Sequence, residues 1–201
     1  MLIDMKDIIP KKSLPRFQGD KRIWLDPVKF KIEKLREVYY VSFLSTRGRG
    51  RRKFSAVLPK TININIKIKC ALVAYMCEGT NLAKGIYTEN SGNKGKNISF
   101  SNSDWWLVKL VVDEFQKLGI ARDMWRPRLT LYAEHKDELE IKWWSEKLEV
   151  PSANFKIRER LEGDKKKVSY STHGGCVIEL WSVIFSALIY NLISLLRQNK
   201  L

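Results

Sequence analysis

The sequence predicts an α+β fold in which helices cover a curved, mostly antiparallel sheet. Three observations predict it. An apolar run from Ile68 to Glu78 has helical length and stops at an acid followed by glycine. Short stretches at Asn97–Asn102, Arg128–Ala133 and Cys176–Trp181 have the composition and alternation of strands. Helical patterns separate them, so the order from Ile68 is helix, strand, strand, helix, strand, inserted helix, strand, helix.

The 201 residues allow one domain, or one domain with an arm, and 44% hydrophobic residues are enough for a core. The net charge of +15 points to a polyanionic partner. That charge is uneven. Residues 1–66 hold 16 basic and 6 acidic residues, an excess of ten; residues 67–201 hold 21 and 16, an excess of five. A merely lysine-rich, soluble chain does not predict such clustering. The division suggests a basic N-terminal arm with a β-hairpin over residues 1–60 and a second domain over residues 61–201.

Cys70, Cys77 and Cys176 are odd in number and lack CxxC spacing, which excludes a disulfide framework or a zinc site. All three stand among apolar neighbours and read as buried thiols in a reducing, cytoplasmic setting. Two histidines do not build a histidine-rich metal site. Asp4, Lys6 and Asp7 do not read as a secretory leader. The longest apolar run, Leu180 to Leu196, contains Ser182, Ser186, Asn191 and Ser194 and is shorter than the roughly 20 residues that span a bilayer. It reads as a buried C-terminal helix, and no membrane partner is expected.

In chain order, Pro10, Pro15 and Pro27 interrupt the first 35 residues. Asp26 as N-cap and Pro27 at the first helical position allow a short helix over Pro27–Leu35. Glu37–Ser45 and Phe54–Leu58 have strand composition. Between them Thr46 to Lys53 carries Arg47, Arg49, Arg51, Arg52 and Lys53, with no acid to balance them. Glycines keep this hairpin tip flexible, and arginine forks suit phosphate oxygens. The tip is the first candidate nucleic-acid contact, by a mode that carries affinity without sequence information.

Ile62, Ile64, Ile66 and Ile68 alternate with polar residues. Period alone reads this as a strand or as an extended lead into the helix at about 68–78. A strand near Leu82–Thr88, a turn over Glu89–Gly95 and a strand over Asn97–Asn102 follow. Ser103 or Asp104 caps a helix to about Leu118, with Leu107, Leu110, Val111, Phe115 and Leu118 on its core face and Gly119 stopping it. The strand at Arg128–Ala133 has Arg126 and Arg128 at its entry, two further candidate nucleic-acid contacts. Asp137 opens an acidic helix to Leu148, whose Trp143 and Trp144 read as half core. Asn154–Arg160 is a further candidate strand, Glu162–Lys167 a charged loop, and Ser182–Arg197 the last helix.

The helix at 68–78 puts Ala71, Ala74 and Glu78 on one stripe, at i, i+3 and i+7. Small residues let a second helix approach. Gly79 suits a left-handed residue that ends a helix. Glu78 stands at the negative end of the helix dipole, which disfavours a bare carboxylate; a divalent cation or plain solvation answers that.

Ala71-Leu-Val-Ala-Tyr-Met-Cys-Glu-Gly79 resembles a degenerate copy of the motif of the LAGLIDADG homing endonucleases. Ile98-Ser-Phe-Ser-Asn-Ser-Asp104 and the amphipathic helix after it are similar to the strand, cap and second helix of such domains. Trp143-Trp144-Ser145 and His173-Gly174-Gly175-Cys176-Val177 resemble features of members with a single motif copy. The resemblance covers roughly residues 60 to 200, and Val73 departs from it where the family usually has a small residue.

The resemblance implies an αββαββα layout, here with an inserted helix. It also implies packing of two motif helices, with terminal acids that bind magnesium or manganese, and hydrolysis of double-stranded DNA under a saddle of strands. One motif copy implies a homodimer through Ala71 and Ala74. Glu78 is then the metal-binding and catalytic acid, and His173 and Lys142 are further candidates near the scissile phosphates. Two rivals share the fold: a DNA-binding regulator without catalysis, and an RNA-binding intron-splicing cofactor.

Overall fold

The computed structural model describes residues 1–12, 16–18, 23–25, 29–45, 52–79, 97–161 and 172–201. Near the N-terminus, β1 (Leu2–Asp4) precedes two short strands, β2 (Arg16–Gln18) and β3 (Ile23–Leu25), which pair antiparallel. Then β4 (Lys31–Leu35), β5 (Val38–Ser45) and β6 (Arg52–Pro59) form a three-stranded antiparallel sheet. Alternation puts Tyr39, Val41, Phe43, Ala56 and Leu58 on its buried face. The helix expected over Pro27–Leu35 is not formed from Lys31 onward. Those residues pair with β5, from Lys31 opposite Ser42 to Leu35 opposite Val38, and the ladder overrides a local capping signal. Arg36 and Glu37 make the turn, with Arg36 at φ 31.

β7 (Thr61–Asn63) pairs with β1 and buries Ile62. The alternating isoleucines are therefore divided. Ile62 belongs to a short strand, Ile64 is a buried lead, and α1 (Ile66–Glu78) starts after Asn65, whose side chain accepts the Ile68 N–H at 3.1 Å. The first sixty residues are more than a basic arm. Met5, Ile8, Val41 and Leu58 join one continuous core with Ile68, Phe115 and Leu188. Asn191, near the far end of the chain, donates to the Ile8 carbonyl at 2.6 Å.

The second sheet follows α1. Its elements are β8 (Asn97–Asn102), α2 (Trp105–Gln116), β9 (Arg128–Tyr132), α3 (Asp137–Leu148), β10 (Lys156–Leu161), β11 (Gly175–Trp181) and α4 (Val183–Arg197). The strand order is β10-β9-β11-β8. β11 is antiparallel to β8 and β9, whereas β10 lies parallel to β9. The inserted α3 explains that exception, since a parallel neighbour needs a crossover and a helix supplies it. The strand expected near Leu82–Thr88, the turn over Glu89–Gly95 and the Glu162–Lys167 loop lie outside the described residues.

α1 packs on α2 and α4, and all three contact β8. Tyr75 of α1 packs on Phe100 of β8 and Phe115 of α2, with ring centroids 6.4 and 5.7 Å away. On α2 the buried stripe is Val108, Val111, Val112 and Phe115, continued by Leu118, while Leu107 and Leu110 are half-buried. Gly119 ends this stretch at φ +98, and a Cβ there would meet the Val57 carbonyl oxygen at 2.5 Å. That close approach seats α2 against β6. The apolar run from Leu180 to Leu196 is divided between β11 and α4, and α4 starts on the Ser182 cap. Among the described residues no helix is long and apolar enough to cross a membrane.

Candidate nucleic-acid interface and acidic helix end

α1 is apolar on almost every side, so its pattern does not say which side is covered. The core covers Ile68, Ala71, Leu72 and Tyr75. Ile66, Cys70, Val73 and Cys77 form the outward stripe, with Ile66 72% and Val73 47% exposed. Two expectations change. Ala71 is fully buried in its own chain and is not on an open face, while Ala74 is half-buried at the margin. Cys70 and Cys77 are exposed rather than buried, because they point away from the α2 and α4 side; Cys176 is buried in β11 as expected.

Glu78 is the last residue of α1 and is exposed. Gly79 after it is extended, at φ −84 and ψ 171, not left-handed as expected of an ordinary cap. Glycine is required there for space: a Cβ would lie 2.5 Å from the Tyr75 carbonyl oxygen and 2.8 Å from its ring. The Gly79 N–H donates to that carbonyl at 2.8 Å, and Gly79 bridges Phe100 in β8. The end of α1 is thereby locked to the sheet, and Glu78 with it. No ion pair reaches Glu78 among the described residues.

The second sheet buries Ile98, Phe100, Leu129, Leu131, Cys176, Ile178 and Leu180. Its alternate residues make the opposite face: Ser99 and Ser101, Arg128 and Thr130, Glu179 and Trp181. Arg128 pairs with Glu179 across that face at 2.8 Å. Arg126 is exposed and donates to the Asp123 and Trp125 carbonyl oxygens. Trp181 is 55% exposed at the end of β11, a feature absent from the expected contacts. Its signal was the period of two: Cys176, Ile178 and Leu180 point in, so Trp181 points out. Of the hairpin cations, Arg47, Arg49 and Arg51 and the side chain of Arg52 lie outside the described residues. Lys53 is exposed, with its ammonium 5.0 Å from the centre of the Tyr40 ring.

His173 belongs to α3 rather than to α1. Its Nδ1 lies 2.8 Å from the Glu140 carboxylate, and its ring stacks on Trp143 at 3.8 Å and 13°. Its carbonyl accepts the indole N–H of fully buried Trp144 at 2.9 Å. Trp143 is half-buried and meets Trp105 edge-on, and Lys147 lies 4.8 Å from the Trp105 ring. These contacts fasten the loop before β11 to α3. Lys142 is exposed on the same helix. Among the described residues no hydrogen bond or ion pair joins Glu78 to His173 or Lys142.

Among the described residues no group of three or more His, Cys, Asp or Glu could hold a metal ion. Glu78 by itself does not make a protein cage. It does fit the partial role magnesium accepts, with one or two carboxylates beside waters and substrate phosphates. Comparison with known proteins finds no matching family model and no matching curated sequence.

Proposed function

We propose that this chain is a DNA-binding, metal-dependent endonuclease of the LAGLIDADG homing type, which hydrolyses double-stranded DNA as a homodimer. One observation carries the reading. Glu78 stands exposed at the end of a helix whose outward stripe, Ile66, Cys70, Val73 and Cys77, is apolar and uncovered in the single chain. A carboxylate beside an uncovered apolar stripe suits a second copy of the same helix, and a two-fold axis near the Glu78 end would bring two such acids together. Once α3 and β10 are taken as the insertion, the described order α1, β8, α2, β9, β11, α4 is αβαββα; the αββαββα layout needs one more strand before β8, where the strand expected near Leu82–Thr88 lies outside the described residues.

In this reading Glu78 from each copy would hold a magnesium or manganese ion, whose chemistry would be to activate water and stabilise the leaving oxygen. The chain's own residues do the rest. Arg126, Arg128 and the Arg47–Lys53 tip bind phosphates and set the register of the duplex. Arg128 exchanges its Glu179 partner for a phosphate oxygen. Ser99, Ser101, Thr130 and Trp181 face the groove.

Glu78→Gln tests the reading. It keeps shape and hydrogen-bonding reach but removes the charge. Cleavage in magnesium should be lost while binding of the same DNA pool, measured in chelator, is kept or tightened. A wild-type chain that binds but never cuts in magnesium or manganese supports the regulator instead. Preferential binding of structured RNA supports the splicing cofactor. Unfolding of Glu78→Gln makes the carboxylate structural.

A further inference from the structure

The three-stranded sheet β4-β5-β6 has a second face, of which the proposed function uses only Lys53, at the base of the hairpin tip. Its inner face is core. On the outer face the ladder places Lys31 opposite Ser42 and Ser42 opposite Ser55. Next come Glu33 opposite Tyr40 and Tyr40 opposite Val57; Leu44 stands opposite Lys53. The face is divided along the strands. Toward Arg36 it is apolar, with Leu35, Val38, Val57 and Pro59. Toward Ser45 and Arg52 it is polar and basic, with Lys31, Ser55 and Lys53 exposed and Ser42 buried between Lys31 and Ser55, and Leu44 breaks the pattern.

Three further facts bear on this polar half. Its one carboxylate, Glu33, is neutralised by Lys31 at 2.5 Å. The Tyr40 phenol carries the mark of its surroundings: hydrogen bonds from Ser55 and Lys53, with the Lys53 charge, hold it below the ordinary tyrosine value. Finally, Ser45 pairs with Arg52, so the strands lead directly into the segment carrying Arg47, Arg49 and Arg51. Hydroxyls and ammonium groups on an exposed strand surface are the groups that meet phosphate oxygens.

We propose that the polar half of this outer face, Lys31, Tyr40, Ser55 and Lys53, is a second nucleic-acid surface that grips the phosphate backbone of a duplex without reading its sequence. It rests on the nucleic-acid reading above but not on Glu78 or on cleavage. The Tyr40 hydroxyl, held by Ser55 and Lys53, donates to phosphate; Lys53 supplies charge, and Lys31 turns from Glu33 to a phosphate oxygen. This surface lies on a different sheet from Arg128 and Trp181, so it adds grip to the grip those residues provide.

The test uses the full chain and a fluorescently labelled duplex of mixed sequence. Anisotropy is read from about 50 to 200 mM potassium chloride, the range over which phosphate contacts lose most affinity. Lys31→Gln with Lys53→Gln should make the slope of log K against log salt shallower by about two units, at roughly 0.9 per contact, for every sequence alike. Glu33→Gln should act in the opposite direction and tighten binding, because it frees Lys31. Thermal unfolding checks that both variants fold. Unchanged slope and affinity in the lysine variant overturn the proposal and leave cleavage at Glu78 untouched. A wild-type chain that cuts nothing yet shows both shifts supports this surface and sinks the endonuclease. A wild-type chain with no affinity for nucleic acid at low salt overturns both.

Discussion

Tyr75 closes the space in which a side chain at Gly79 would stand. Its carbonyl oxygen and ring lie 2.5 and 2.8 Å from the position of a Cβ there. The same ring packs on Phe100 and Phe115, so it is not free to swing away. Gly79→Ala should therefore push Tyr75 into the core and cost about 1–3 kcal/mol, as overpacking does. Denaturant unfolding measures it. Because Gly79 bridges Phe100, the variant also shifts Glu78, and any cleavage should fall more than DNA affinity. A stability equal to the wild type would mean that the ring moves aside at no cost.

His173 joins the loop before β11 to α3 through Glu140 and Trp143. Glu140 is only 9% exposed, so removal of the imidazole leaves a nearly buried carboxylate without it. His173→Ala should cost about 1–3 kcal/mol, the penalty of an unsatisfied buried polar group. Tryptophan emission should also change as Trp143 loses its stacked partner. If the proposed cleavage is observed for the wild type, the folded variant should match its rate below the melting temperature. The reverse pattern, full stability with lost cleavage, would return His173 to the catalytic set.

The three cysteines should differ in reactivity. Cys70 and Cys77 are exposed on α1, whereas burial pushes the Cys176 thiol far above its ordinary value and withholds the thiolate. Iodoacetamide at neutral pH should alkylate Cys70 and Cys77 in the native chain and reach Cys176 only in denaturant, as read by peptide mass. If α1 is the homodimer seam, raising the protein concentration should slow both exposed thiols together. Alkylated chain should sediment as monomer. Equal reactivity at all concentrations would remove α1 from the interface.

Much of the fold was legible because it is written in local period. Gly175–Trp181 alternates, and the helix ending at Gly119 repeats at three and four. Lys31–Leu35 was not legible, since a capping pair in front of it competes with a ladder whose partner strand lies farther along the chain. The open edge of the site was partly legible: Arg126 and Arg128 were expected at the entry to β9, and Trp181 followed from a period not carried to its last residue. The contacts of His173 were not legible, because a histidine beside two glycines does not reveal that Glu140 and Trp143, some thirty residues earlier, will hold it.

By itself the sequence determined the α+β class, the uneven positive charge, the start of the last helix at Ser182, and an acid at the close of an apolar helix. Those are properties of residue type and short spacing, which act before any long-range contact forms. Only the tertiary structure decided which side of α1 is left uncovered, that Ala71 is inside and Cys77 outside, and that Arg128 stands across from Glu179. The reason is physical. A helix that is apolar all round buries whichever side its neighbours can pack. Here Tyr75, wedged against Phe100 and Phe115, selects that side.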